Sequence, residues 1–260
     1  MKVAIIGAGN MGGAIARGLA QGSQVPAKDI TVADPSQSQL EALQTACPEL
    51  TTTSNNRLAA QDADIVFVAV KPWLVEEVLA DLKLQNKQIL VSIAAGVSFS
   101  DLKKYTGTQD GDMTMFRMIP NTAISLLQST TLIASSNATK EQEQLMLDIF
   151  NEMGLAILVP EGKMAACTSL TSCGIAYVLK YIQAAMQAGI ELGIYPKDAS
   201  KMVAQSVKGA AELILQNNTH PSIEIDKVCT PGGLTIKGIN QLEHDGFTSA
   251  IINAMKASMQ

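Results

Sequence analysis

The sequence predicts an α/β domain followed by an all-helical domain, on three observations. Short apolar runs alternate with helix-like stretches over residues 1–160. A Gly-x-Gly-x-x-Gly loop directly follows the first apolar run. Beyond residue 160 the apolar spacing becomes helical throughout. Strand–helix alternation implies a parallel sheet covered on both faces, because each parallel return needs a crossover helix. The 260 residues suffice for one large domain or two modest ones, at roughly 150 residues per domain. The domains are drawn as 1–160 and 161–260, with the join near Pro160–Gly162.

Val3–Ile6 is the first strand, closed by Gly7, and Ala14–Ala20 the first helix. Ile30–Ala33 is a second strand ending at Asp34, and Gln39–Ala46 is helical. Ile65–Val70 is an unbroken apolar run, the pattern of a central strand buried on both faces. Val75–Leu82 reads as helix and Ile89–Ile93 as strand. Met113–Ile119, Thr131–Ala134 and Ala156–Val159 are weaker strands, with a helix over Thr139–Met153 between the last two. In the second half, Ala176–Leu192 sets Val178, Leu179, Ile182, Ala185 and Met186 on one side. Asp198–Gln216 repeats Val203, Val207, Ala210 and Ile214; Thr235–Asp245 repeats Ile236, Ile239 and Leu242. Past Gly246 come Ile251, Ile252, Met255 and Met259, again at helical spacing. Four short helices this rich in Ile and Met leave more apolar surface than one small domain covers. The second half is therefore expected to pack against another subunit.

Composition narrows the function. A net charge of −5 leaves no basic surplus to neutralise nucleic-acid phosphates or to hold an anionic membrane surface. Aromatics at 4% argue against base-stacking platforms. The four cysteines (Cys47, Cys167, Cys173, Cys229) form no Cys-x-x-Cys pair, and only His220 and His244 accompany them, so no metal site is expected. A chain of this size needs no disulfide framework, and a reduced, cytoplasmic setting is the simpler expectation. No apolar run reaches the ~18–20 residues of a membrane span, and the start lacks the long apolar region of a secretory signal.

The sharpest local signal is Gly7-Ala8-Gly9-Asn10-Met11-Gly12, between a strand and a helix. In a dinucleotide-binding, Rossmann-like domain each glycine has a task. The first allows the tight turn, the second lets backbone approach a pyrophosphate, and the third lets helix and strand pack closely. Free amides at the helix start then face the phosphate charge. NADH or NADPH is the expected coenzyme. Asp34, about twenty residues on, has two readings: an acceptor for the adenosine ribose hydroxyls, or a turn residue before Pro35. A carboxylate there repels a 2′-phosphate, whereas Ser36 and Gln37 can donate to one if Asp34 turns away. On Asp34, NAD is expected to serve at least as well as NADP.

Further motifs follow in order: Ala69-Val70-Lys71-Pro72, Ser92-Ile93-Ala94-Ala95-Gly96 and Arg117-Met118-Ile119-Pro120-Asn121-Thr122. Near the C-terminus stand His220-Pro221, Thr230-Pro231-Gly232-Gly233-Leu234-Thr235-Ile236, Leu242-Glu243 and Gly246-Phe247. In this order and spacing, across essentially the whole chain, they resemble the pyrroline-5-carboxylate reductase family. The Pro-Gly-Gly-x-Thr-Ile stretch behind a Rossmann half is the most specific part. The resemblance implies reduction of L-1-pyrroline-5-carboxylate to L-proline by a nicotinamide hydride, the last step of proline biosynthesis. It also implies that the C-terminal domain is a dimerisation domain; rings of dimers are common in the family.

The resemblance assigns residues as well. Gly7, Gly9, Asn10, Met11, Gly12, Asp34, Ser36, Asn56, Ala69, Val70, Lys71, Pro72, Ala94, Ala95 and Gly96 fall to the coenzyme, with Lys71-Pro72 and Ala94–Gly96 near the nicotinamide ribose. Thr230, Gly232, Gly233, Leu234 and Thr235 fall to the substrate. Physically, Pro231-Gly232-Gly233 before an apolar helix offers free amides to an anion, here the substrate carboxylate. Thr235 can aim its hydroxyl at the ring nitrogen, where charge changes as hydride adds to C=N, and it is the catalytic candidate. Without the resemblance, Gly232-Gly233 reads as a plain turn, Thr235 as a helix cap and Lys71 as a solvated charge. Arg117 and Asn121 read as holding the domain join, and His220 as a loop residue held by Pro221.

One segment departs from the family. Where Ser-Gly-Ser-Gly-Pro-Ala-Tyr is usual, the chain has Thr171-Ser172-Cys173-Gly174-Ile175-Ala176-Tyr177, and Ile119 stands where methionine is usual. These changes bear on substrate preference more than on reaction type. Two rivals follow. A β-hydroxyacid dehydrogenase needs a helical lysine with asparagine three or four residues on, but Lys180 is followed by Gln183 and Ala184. A non-catalytic, regulatory dinucleotide-binding paralogue would accommodate the altered segment, although the intact Gly232-Gly233 and Thr235 speak against it.

Overall fold

The computed structural model describes residues 1–109 and 112–259. They fall into two compact units, Met1–Ser172 and Cys173–Gln260.

The first unit is built on a sheet of eight strands: β1 (Val3–Ile6), β2 (Ile30–Ala33), β3 (Thr51–Thr53), β4 (Ile65–Val68), β5 (Ile89–Ser92), β6 (Met115–Ile119), β7 (Ser129–Ser136) and β8 (Gly154–Leu158). Their order is β3-β2-β1-β4-β5-β6-β7-β8, and the β1–β4 step is where the chain reverses its direction of winding. The unbroken apolar runs have a simple cause. Val3 and Ile5 enter one core cluster and Ala4 and Ile6 the other; Ile65 and Phe67 separate in the same way from Val66 and Val68. With both faces buried, no position is left for polar alternation.

All neighbouring strands are parallel except β6 and β7. The expectation of a parallel sheet fails there for a topological reason. Only a 3₁₀ turn, Thr122–Leu126, lies between β6 and β7, too short a crossover for a parallel return. The helix α6 (Lys140–Asn151) then carries the chain from β7 to a parallel β8. The run Ile65–Val70 leaves the sheet two residues early, at Val68.

The other helices of this unit are α1 (Asn10–Gln21), α2 (Gln37–Ala46), α3 (Asn56–Ala60), α4 (Val75–Leu82), α5 (Phe99–Thr106) and α7 (Met164–Thr168). α5 has no counterpart in the periodicity analysis, yet its start carries a full capping box. Ser98 Oγ accepts from the Asp101 N–H at 3.1 Å, and Asp101 Oδ2 accepts from the Ser98 N–H at 2.9 Å. The Ser98 hydroxyl, donating to Asp101 Oδ2 at 2.6 Å, and then the Ser98 N–H hold the Asp101 carboxyl below the usual carboxylate range. The chain from Ser169 to Cys173 is wound as a π-turn.

The second unit is helical: α8 (Gly174–Glu191), α9 (Pro196–Asn217), α10 (Pro221–Val228), α11 (Leu234–His244) and α12 (Phe247–Ala257). That is one helix more than the periodicity gives, and α8 and α9 are long. α10 begins at Pro221, favourable at a first helical position. His220 is its N-cap rather than a loop residue, and its Nδ1 accepts from the Ser222 N–H at 3.2 Å. α8 and α9 meet closely at Gly189 and Ala199, and the Tyr177 hydroxyl donates to the Ala254 carbonyl at 3.2 Å. Little else is covered. Among the described residues of this unit only Gly174 and Ala199 are buried, while Leu179, Leu192, Leu215 and Val228 stand mostly exposed. Among the described residues, no helix is long and apolar enough to cross a membrane.

Candidate active site

The strand–loop–helix at the N-terminus sets the first site. Gly7 has φ +107°, and a Cβ there would stand 2.6 Å from the Ala69 carbonyl oxygen. A Cβ on Gly12 would collide with the Gly7 carbonyl oxygen and the Ala69 side chain. Both glycines therefore let α1 sit directly on the ends of β1 and β4. Gly9 differs: a Cβ there would meet nothing within 4 Å. Its side faces open space, the condition under which backbone can approach a ligand. Gly9 is also the N-cap of α1, with no side-chain cap and no acidic residue in the first turn, so the amides ahead of it suit an anion.

That open space is a cleft of about 670 Å³ beyond the carboxyl ends of the strands. Gly7, Gly9, Asn10 and Met11 line it at the glycine loop, and Asp34 and Asn56 at the ends of β2 and β3. Ala69, Val70, Lys71 and Pro72 line it after β4, and Ala94 and Ala95 after β5. Twelve of the fifteen expected coenzyme positions thus converge on one cavity. Gly12 lies behind the loop as a packing residue, and neither Ser36 nor Gly96 is among the lining residues. Leu74, Glu77 and Val78 line the cleft as well. No motif marks them; α4 brings them there only once the chain has folded back.

Asp34 meets protein before any ligand. Its Oδ2 accepts from the Ala8 N–H at 2.7 Å and its Oδ1 from the Ser36 N–H at 2.8 Å. The carboxylate ties the glycine loop to the turn after β2, and its charge stays at the cleft wall. Ser36 and Ser38 place their hydroxyls 3.0 Å apart at the start of α2. Lys71 is exposed, and among the described residues it is the one basic side chain in the lining, which also holds the carboxylates of Asp34 and Glu77.

In the second unit, Thr230-Pro231-Gly232-Gly233 forms a turn closed by the Gly233 N–H donating to the Thr230 carbonyl at 3.0 Å. Gly232 has φ +70°, a left-handed conformation that disfavours side chains. A Cβ on Gly233 would press on the Thr230 side chain at 2.5 Å. α11 starts immediately after, without a side-chain cap and without an acidic residue in its first turn. Leu234 and Thr235 are exposed. This is a bare helix N-terminus with a hydroxyl one residue inside it, an arrangement that suits a small carboxylate.

Arg117 and Asn121 are buried within the first unit, as side chains that hold structure. Asn121 Nδ2 donates to the Thr171 carbonyl at 3.2 Å, fixing one residue of the altered segment. Lys180 Nζ donates to Gln183 Oε1 at 3.0 Å on an exposed helix face. Among the described residues no cluster of His, Cys, Asp or Glu could hold a metal.

A doubly wound sheet with a glycine-edged cleft at its switch point defines a dinucleotide-dependent oxidoreductase. Comparison with known proteins makes this specific. Residues 161–260 match the family model for pyrroline-5-carboxylate reductase dimerisation, and residues 2–96 match that of NADP oxidoreductase, coenzyme F420-dependent. Pyrroline-5-carboxylate reductase 2 of Dictyostelium discoideum is 34% identical over 100% of this chain and 91% of its own. Pyrroline-5-carboxylate reductase 1 of the same organism is 36% identical over 98% of this chain, which spans 48% of that longer protein. The crystal structure of Plasmodium falciparum pyrroline carboxylate reductase with NADP bound has a TM-score of 0.88 at 26% identity, covering 100% of this chain and 95% of that one. The chain belongs to the pyrroline-5-carboxylate reductase family.

The different tasks of the glycines give a test. Gly12→Ala is expected to lower the thermal midpoint by several degrees, because its Cβ has no space. Gly9→Ala is expected to leave the midpoint within about a degree and to weaken coenzyme binding on the order of tenfold or more, as a wall moved into a ligand contact would. Calorimetry and coenzyme titration of both variants check this; unaltered affinity in Gly9→Ala would remove the pyrophosphate from that position.

Proposed function

We propose that the chain is a pyrroline-5-carboxylate reductase, reducing L-1-pyrroline-5-carboxylate to L-proline with NADH or NADPH, the last step of proline biosynthesis. One observation carries the reading: a single chain holds a glycine-edged cleft whose Gly9 faces open space and a bare α11 N-terminus bearing Thr235. Residues 1–160 serve as the dinucleotide-binding domain and 161–260 as the substrate-binding and dimerisation domain.

The cleft fits a nicotinamide dinucleotide in volume, in its free amides and in the space before Gly9. When bound, the reduced coenzyme supplies the hydride. The chain's own residues bind and orient. The N–H groups at the start of α11, set by Gly232 and Gly233, hold the substrate carboxylate. The Thr235 hydroxyl stands at the ring nitrogen and keeps the imine proton in place as the C=N bond becomes CH–NH. One hydride reaches carbon and neutralises the protonated imine, whose proton stays on nitrogen, while the helix start offsets the charge of the carboxylate. Thr230 and Leu234 shape the turn around the ring.

Asp34 decides the coenzyme preference. Its carboxylate is held at the cleft wall by two backbone N–H groups, and among the described residues the only basic one in the lining is Lys71. A 2′-phosphate meets this fixed negative charge. NADH is therefore used at least as efficiently as NADPH.

The apolar helices of the second unit find their cover in a second copy of the chain. So little of that unit is buried that it has scarcely a core of its own. The minimal assembly is a homodimer, which rings of dimers can extend. Its setting is the cytoplasm, where the four unpaired cysteines persist as thiols.

Three measurements test these readings. Thr235→Ala is expected to lower turnover on the order of a hundredfold while coenzyme affinity stays within about twofold, as for a group that acts in the chemical step. Coenzyme affinity that collapses while turnover survives would remove Thr235 from the reaction. Tight coenzyme binding by the wild type without any turnover would favour a non-catalytic paralogue. In steady-state kinetics NADH is expected to match or exceed NADPH in kcat/KM; a preference for NADPH on the order of a hundredfold, about 2.7 kcal/mol, would contradict the role of Asp34. Sedimentation is expected to show a dimer or larger, and a monodisperse monomer would contradict the assembly.

A further inference from the structure

The geometry points to Arg117 and Glu161 as a positioning pair that fixes the loop Ile93–Val97, an inference that rests on the coenzyme reading of the cleft. Ile93, Ala94 and Ala95 line that cleft. Upstream the loop is anchored by the sheet: Ser92, the last residue of β5, pairs in register with Arg117 on β6, and the Ile93 N–H donates to the Val68 carbonyl at 3.2 Å. Downstream it runs into Ser98, the N-cap of α5, and then Phe99. The Phe99 N–H donates to Glu161 Oε1 at 2.7 Å. The same oxygen accepts from Arg117 Nη1, also at 2.7 Å. One carboxylate oxygen therefore joins the start of α5 to the strand beside the loop's other end.

The pair is an inefficient source of stability. The Arg117 side chain is only 10% exposed, and its Nε has no hydrogen-bond partner among the described residues. The guanidinium lies 6.0 Å from the centroid of the buried Phe99 ring. The Glu161 side chain is 37% exposed, so the pair is part-buried; a part-buried ion pair gains little net stability, and an unpartnered buried N–H adds a further cost. What apolar residues cannot do is hold an acceptor at one point in front of the Phe99 amide. The charge also favours that place, at the positive end of α5. Moving Phe99 moves the short loop before it, and with it Ala94 and Ala95. Neither Arg117 nor Glu161 lines the cleft, so both act through the loop rather than on the ligand.

The test uses the full chain with NADH and pyrroline-5-carboxylate. Glu161→Gln keeps the shape and removes the charge. It is expected to raise the coenzyme KM and lower kcat, each on the order of tenfold, with the KM for the cyclic imine within about twofold. Arg117→Lys alone is expected to give the same split at smaller size. The double variant is expected to match Glu161→Gln, because both changes release one clamp. A lower thermal midpoint with unchanged kinetic constants would overturn the proposal and leave a purely structural pair. Equal rises in both KM values with kcat unchanged would overturn it too. Failure of the wild type to bind coenzyme would overturn it together with the coenzyme reading, whereas active wild type and equally active Glu161→Gln would overturn the pair alone.

Discussion

The close approach of α1 to the ends of β1 and β4 is the constraint on which the first unit depends. It is possible only because Gly7 and Gly12 carry no side chain where the Ala69 and Gly7 carbonyls stand. That approach brings the first amides of α1 to the cleft wall, ahead of Gly9. The same contact fixes Ala69 and Val70, the residues that leave β4 and turn along the cleft floor. Asp34 completes the arrangement from the side, accepting from the Ala8 N–H and so holding the glycine loop at its middle. A site for a charged dinucleotide is thus assembled mostly from backbone, which costs little to reorganise when a ligand arrives.

Much of this was legible in the sequence because the signals were local. The glycine spacing, the unbroken runs Val3–Ile6 and Ile65–Val70 and the acidic end of β2 depend on neighbouring residues alone. So does the Pro231-Gly232-Gly233 turn before α11. What was not legible depends on distant partners or on weak periodicity. β3 is three threonines at a sheet edge, half-exposed and without an apolar run to announce it. The antiparallel β6–β7 pair follows from the shortness of one connection, not from the strands' own composition. Leu74, Glu77 and Val78 reach the cleft only through the placement of α4. α5 and α10 escape the periodicity although Ser98-x-x-Asp101 and His220-Pro221 stand in plain view, since each sets three apolar residues over its eight positions where α4, of equal length, sets five.

The two units solve opposite problems. The first buries apolar side chains on both faces of its sheet. The second spreads its Leu, Ile and Met over long helices and buries almost none of them. Its stability and its function are then tied to whatever covers those helices, which in the proposed reading is a second copy. This division places the backbone-built site in the unit with the buried core. The turn and hydroxyl proposed for the substrate sit in the unit whose shape is set by assembly.

The most direct measurement is a crystal structure of the chain with proline and oxidised coenzyme. The expected result is proline with its carboxylate on the N–H groups that follow Gly232 and Gly233, its ring nitrogen at the Thr235 hydroxyl and C5 facing the nicotinamide. A carboxylate held instead by a cationic side chain, with the start of α11 in contact with solvent alone, would contradict it.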